Sequence, residues 1–174
     1  MTALRRPLTP IMRNMVQKNN YPGIKKKLRK AGLLLFLLYM GILLYFLFFA
    51  DWYNHAPGSH TGYSYNLIPF REIMRFIKAR NKLGFRSVFL NLGGNIIGFL
   101  PFGFFLPVIT RKLRRAWLVI PLGFLTSATV ECIQLVTRTG TFDVDDMILN
   151  TAGAALGYLI FIICDAVRRK KYGR

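Results

Sequence analysis

Acidic residues, cysteine and histidine are all scarce in this 174-residue chain, which has 7 Asp and Glu, 2 Cys and 2 His. There is no CxxC pair and no Cys/His cluster, which excludes a thiol-based metal site. His55 and His60 fall in a turn-rich stretch and read as solvated loop residues. H-E-x-x-H, a P-loop and any Ser/His pairing are missing, as are internal repeats, so no known catalytic signature is present and no cofactor is expected.

Charge of either sign is missing from long stretches. Residues 31–50, 87–110 and 147–164 contain none, and residues 116–137 contain only Glu131. A helix rises about 1.5 Å per residue, so each window is long enough to cross a hydrocarbon core of about 30 Å. Four such windows predict an all-α integral membrane protein of four transmembrane helices. The first window is too long, and the stretch before it too extended, for a cleaved signal peptide, so it reads as a retained anchor. Cys132 and Cys164 then lie at very different depths, which argues against a bridge between them.

What is abundant is positive charge, 25 Lys and Arg for a formal net charge of +18. Most of it stands before the first window, between the second and third, and after the fourth. The positive-inside rule therefore predicts that both termini are cytoplasmic, in a multi-pass protein of the cell membrane. Anionic inner-leaflet lipid is the expected partner of the basic tails. No nucleic-acid recognition fold is visible, and the basic residues flank spans, so nucleic acid is not expected as a partner. The other side holds six acids, Asp51, Glu72, Glu131, Asp143, Asp145 and Asp146, leaving only Asp165 on the basic side.

Three domains follow: a basic N-terminal tail at 1–30, a membrane domain at 31–167 and a basic tail at 168–174. Residues 1–24 read as a polar, proline-punctuated and mobile segment. In the first outer loop, Trp52, Tyr53, Tyr63 and Tyr65 suit an interfacial aromatic belt. Ile73, Phe76 and Ile77 recur at helical spacing in 71–82, which predicts a short amphipathic helix lying on the membrane surface or packed on the protein. The second span carries Pro101 and Pro107 among Gly93, Gly94, Gly98 and Gly103, so a break or kink near 98–101 is expected, turned inward where neighbours satisfy the freed carbonyls. Gly94-x-x-x-Gly98 and Gly153-x-x-x-Gly157 predict close helix approach.

Polar groups inside the spans carry the functional signal, because each is costly in lipid. Asn91 and Asn95 share one helical face. Glu131, Gln134 and Arg138 share another, and Asp146, Asn150, Gly153 and Gly157 a third. All three faces fall at one depth, roughly 5–12 Å into the outer side at about 1.5 Å per residue. The expected site is an outward polar pocket lined by Asn91, Asn95, Glu131, Gln134, Arg138, Asp143, Asp146 and Asn150, with Pro101, Gly103, Gly153 and Gly157 structural. The competing reading is interhelical glue, with Glu131 paired to Arg138.

The segments NLGGNIIGFLPFGFFLP (91–107), ECIQLVTRTGTFDVDDMILNTAGAALGY (131–158) and NLIPF (66–70) resemble the VanZ family, small membrane proteins linked to teicoplanin resistance. The family pattern falls here on Asn91, Asn95, Phe99, Pro101 and Gly103, then on Glu131, Gln134, Arg138, Asp143, Asp146, Asn150 and Gly153, over about 66–158. The resemblance implies a bacterial protein that lowers susceptibility to teicoplanin and related lipoglycopeptides, its pocket holding a lipid, a lipid-linked wall precursor or the acylated end of the drug. The alternative is a membrane-embedded enzyme acting on lipid-linked substrates. In it Glu131, Arg138 and Asp146 are the catalytic candidates, Arg138 a clamp, and Asp143, Asp145 and Asp146 candidate ligands of a divalent cation, although DVDD lacks the Gly and distal Glu of an EF-hand loop. A small transporter is disfavoured by the span count and the lack of repeats.

Overall fold

The computed structural model describes residues 10–49 and 63–172. Trp52, Tyr53, His55 and His60, with Asp51 and residues 1–9, lie outside the described residues. Four helices are long and apolar enough to cross a membrane, at Arg29–Phe48, Arg80–Ile109, Ala116–Thr137 and Val144–Lys171.

Helix α1 (Pro10–Phe49) begins on a proline, which the first helical turn tolerates because that N–H has no intrahelical partner. It runs on through Pro22 and Gly23 into the first span without a break. Its span packs lightly. Phe36, Tyr39, Met40 and Leu43 touch the bundle, while Leu34, Leu35, Leu37 and Leu38 are exposed, as a lipid-facing side requires.

After a two-residue strand β1 (Tyr65–Asn66) come α2 (Arg71–Lys78) and α3 (Arg80–Val88). Ile73 and Phe76 of α2 turn toward a cavity in the protein while Ile77 is exposed, so the apolar face is divided between the protein and its surroundings. Gly84, at φ 78° and ψ 153°, turns the chain into the second span through a conformation essentially reserved for glycine.

The second span is irregular, but not where its prolines predict. Helix α4 (Gly94–Ile109) passes through Pro101 and Pro107 unbroken, and the irregularity is a π-helical turn at Phe89–Gly93. The Tyr39 hydroxyl of α1 donates to the Gly98 carbonyl at 2.6 Å, next to the Ile97 carbonyl that Pro101 leaves without its helical donor. A 3-10 turn at Arg111–Leu113 then leads to α5 (Ala116–Thr137), strand β2 (Phe142–Asp143) and α6 (Val144–Tyr172).

Glycine sets the distance between α4 and α6. A Cβ on Gly103 would meet the Ala154 backbone, one on Gly153 the Ile96 carbonyl, and one on Gly157 the Leu100 carbonyl. On the α5 side, a Cβ on Gly123 would fall 2.7 Å from the Ala154 Cβ. With no hydrophobic force between helices in lipid, this close backbone approach supplies the dispersion contacts that hold them. The Gly94-x-x-x-Gly98 pattern does not take part: Gly98 faces Leu43 of α1, and a Cβ on Gly94 would meet nothing within 4 Å. Small residues on a helix permit close approach without specifying it, and here Gly94 opens a space. Phe99, Phe102 and Ala154 form the core beside α1, and Val119, Tyr158 and Phe161 a second cluster toward the basic end.

Candidate functional site

The site is assembled by two short segments far apart in sequence. Strands β1 and β2 pair in parallel, Tyr65 with Phe142 and Asn66 with Asp143. The Asn66 Nδ2 donates to Asp143 Oδ1 at 2.9 Å, and the Asp145 backbone N–H donates to the same oxygen at 2.8 Å. The Asp143 backbone N–H donates to Glu131 Oε2 at 2.9 Å. Asp145, 1 % exposed, accepts from the backbone N–H groups of Phe70, Glu72 (2.7 Å) and Ile73 (3.1 Å). A carboxylate there satisfies orphan donors of the first turn of α2 and complements its dipole. One acid at the start of α6 thus fixes the position of α2.

Clamped in this way, α2 closes one side of a cavity of about 670 Å³ among α1, α2, α4 and α6. Its apolar wall includes Ile42, Leu43, Phe46 and Leu47 of α1, with Phe99 and Ile97 of α4. Its polar wall includes Asn91, Asn95, Gln134, Asp143, Asp145, Asp146 and Asn150, joined by Glu72 and Arg75 of α2. Asn91 lies in the π-helical turn and its Nδ2 donates to the Ser87 carbonyl at 2.8 Å. Asn95 Nδ2 donates to Asp146 Oδ1. Gln134 Nε2 reaches the Leu47 carbonyl of α1 at 2.9 Å, and Asn150 Nδ2 reaches Ser127 Oγ of α5 at 2.8 Å. Glu72 and Arg75 pair with each other at 2.5 Å.

The VanZ/LLP1 family model matches residues 36–165, from the middle of the first span almost to the end of the fourth. The chain belongs to the VanZ/LLP1 family. No curated protein and no solved structure matches it. The family match thus takes in α1 from Phe36 onward, wider than the 66–158 on which the motifs fall.

Within this VanZ/LLP1 chain, six of the eight predicted pocket residues line the cavity, and two do not. Glu131 is 3 % exposed and faces the Asp143 backbone, so it positions the loop before α6. Arg138 was expected on the Glu131 face by helical spacing. The helix ends at Thr137, Arg138 takes a left-handed conformation at φ 56°, and its guanidinium lies 4.8 Å over the Tyr63 ring. Helical periodicity stops applying one residue before the residue it was used to place. No ion pair joins Glu131 and Arg138, and these two catalytic candidates of the enzyme reading are not brought together. Of the divalent-cation candidates, Asp145 spends both oxygens on α2 and Asp143 spends Oδ1 on two donors. Among the described residues no group of three or more His, Cys, Asp or Glu is arranged to hold a metal ion.

Several partners escaped the sequence reading. Asn66 is buried beside Asp143, and its Oδ1 accepts from the Ile68 N–H at 3.3 Å, an Asx turn that an Asn two residues before an Ile-Pro step signals. Ser127 gives no sign of its contact with Asn150, nor does Tyr39 of its reach to α4.

Proposed function

We propose that this protein lowers the susceptibility of a bacterial cell to teicoplanin and related lipoglycopeptides by holding an amphiphile in the cavity among α1, α2, α4 and α6. In this reading both termini are cytoplasmic and the cavity opens at the outer face. The amphiphile is a membrane lipid, a lipid-linked wall precursor or the acylated end of the drug. The observation that carries the reading is the cavity's two-sided lining: amides and carboxylates contributed by several helices face an apolar wall built largely by α1. A concave site with a few convergent polar groups suits a ligand with a polar head and a hydrocarbon chain. Lysines and arginines at 111–115 and 168–171 sit at the far ends of the same helices, where anionic inner-leaflet lipid would hold them.

The test is susceptibility in the native host. Deletion of the gene is expected to lower the teicoplanin concentration that stops growth, and restoring the wild-type chain is expected to reverse this. Restoring the Asp146→Asn chain at equal membrane abundance is expected to reverse it only in part. Unchanged susceptibility to both teicoplanin and vancomycin after deletion would overturn the proposal.

A further inference from the structure

The hydrogen-bonding groups of the cavity are unbalanced. All four of its carboxamides have the nitrogen donating to a protein acceptor: Asn91 to Ser87, Asn95 to Asp146, Gln134 to Leu47 and Asn150 to Ser127. Their oxygens are left as the groups available to a ligand. Asn150 makes the point most sharply. It is 2 % exposed, lines the cavity, and its Oδ1 is the one fully buried side-chain polar atom without a hydrogen-bond partner among the described residues. A buried acceptor left unsatisfied costs about 1–3 kcal/mol, so its surroundings favour a donor over a further acceptor.

Charge points the same way. Asp146 lines the cavity with a neutral amide as its partner, and among the described residues no cation is paired with it. Arg75, the basic residue on the wall, is committed to Glu72. An anionic headgroup would meet Asp143 and Asp146, and would have to draw Arg75 away from Glu72. A cation with N–H groups would neutralise Asp146 and donate to the acceptors around it, as a charge-assisted pair requires.

We infer that the cavity takes a cationic amphiphile, an ammonium or guanidinium headgroup on an alkyl or acyl chain, with Asp146 as its counter-ion and the chain along Ile42, Leu43 and Phe46 of α1. This rests on the amphiphile reading above and narrows it to one headgroup chemistry. An amine-bearing membrane lipid and an amine-bearing drug share that chemistry.

The probe is radiolabelled dodecylammonium, bound to the full chain in dodecyl maltoside micelles and read by scintillation proximity. Saturable binding is expected, with dodecyltrimethylammonium, which has the charge but no N–H donor, competing more weakly and dodecanoate not competing. Asp146→Asn is expected to weaken binding by about tenfold or more. Gly94→Leu is expected to abolish it, because a Cβ there meets nothing within 4 Å and the side chain fills the cavity without a clash at its root. If Asp146→Asn fails to fold, Gly94→Leu and the dodecanoate competition decide the matter. Competition by dodecanoate equal to that of dodecylammonium, or unchanged affinity in a folded Asp146→Asn, overturns the inference. Should labelled dodecanoate bind instead, blocked by Gly94→Leu, the headgroup assignment falls and the amphiphile pocket stands; binding of neither probe removes both. Mass spectrometry of lipid extracted with the wild-type chain identifies the source. An amine-bearing lipid lost in Gly94→Leu names a membrane lipid, and its absence beside retained dodecylammonium binding names an exogenous amphiphile.

Discussion

The two ends of the helix bundle both bury acids, and they settle the charge in opposite ways. At the basic end Asp165 pairs with Arg168 and with Arg169, the latter at 2.7 Å, on its own helix. The Arg114 guanidinium sits 5.5 Å from the Phe161 ring, and Nε of Arg114 donates to the Pro107 carbonyl at 3.3 Å. Partial burial pulls the Arg114 pKa below its ordinary value, and the Asp165 charge opposes that shift. Every acid there has a cation. At the other end Glu131, Asp143, Asp145 and Asp146 are held by backbone N–H groups and amides. Neutral donors fix a carboxyl group's position without supplying a counter-charge.

The largest effect should come from erasing the packing on which both ends depend. Gly157→Leu drives a side chain into the Leu100 and Phe104 backbone, and overpacking of this kind costs on the order of 1–3 kcal/mol or more. A fall of several degrees in the thermal midpoint in detergent, with loss of monodispersity, is the expected result. Gly94→Leu, at an unpacked position of α4, should leave both nearly unchanged, and equal damage from the two variants would remove the distinction between seam and cavity.

Next in size, Asp145→Ala removes the acceptor for three N–H groups of the α2 region. Loss of a helix cap costs about 0.5–2 kcal/mol. The readout is local: hydrogen exchange of the α2 amides should accelerate while that of α5 stays near the wild-type rate. Uniform acceleration along the chain would show that Asp145 supports the whole bundle instead.

Asp165→Asn at the basic end should cost less, under about 1 kcal/mol, because Arg168 and Arg169 are largely exposed and keep solvent as a partner. A midpoint drop larger than that of Asp145→Ala would reverse the ranking of the two ends. The smallest change is expected from Arg138→Ala. Its guanidinium rests on exposed Tyr63, so the midpoint should move by no more than about 0.5 kcal/mol equivalent and resistance should persist. Loss of resistance in a stable Arg138→Ala chain would return Arg138 to the site.

Legibility in the sequence followed the range of the interaction. Asp146 and Asn150, four residues apart on α6, were placed on one face by period alone, and both line the cavity. Gly153 and Gly157 extend that stripe and do pack closely. Gly94 and Gly98 show the same spacing and do not, because the spacing says nothing about which neighbour the face will meet. Pro101 predicted a break that α4 does not show; the irregularity falls at Phe89–Gly93 instead. Asp145 looked like one acid in a cluster, and its role as the cap of α2 depends on a segment more than seventy residues earlier.

Composition and order along the chain were enough for the four spans, the segregation of charge and the family, because crossing a bilayer depends on the length and polarity of contiguous residues. The cavity belongs to another class of property. It exists because Asn66 pairs with Asp143, Asp145 holds α2, and α4 keeps Gly94 away from α6 while Gly103, Gly153 and Gly157 close the rest of the seam. Helical periodicity orders residues around one axis; how those axes rotate against one another, and where a helix stops, is decided only when the helices pack.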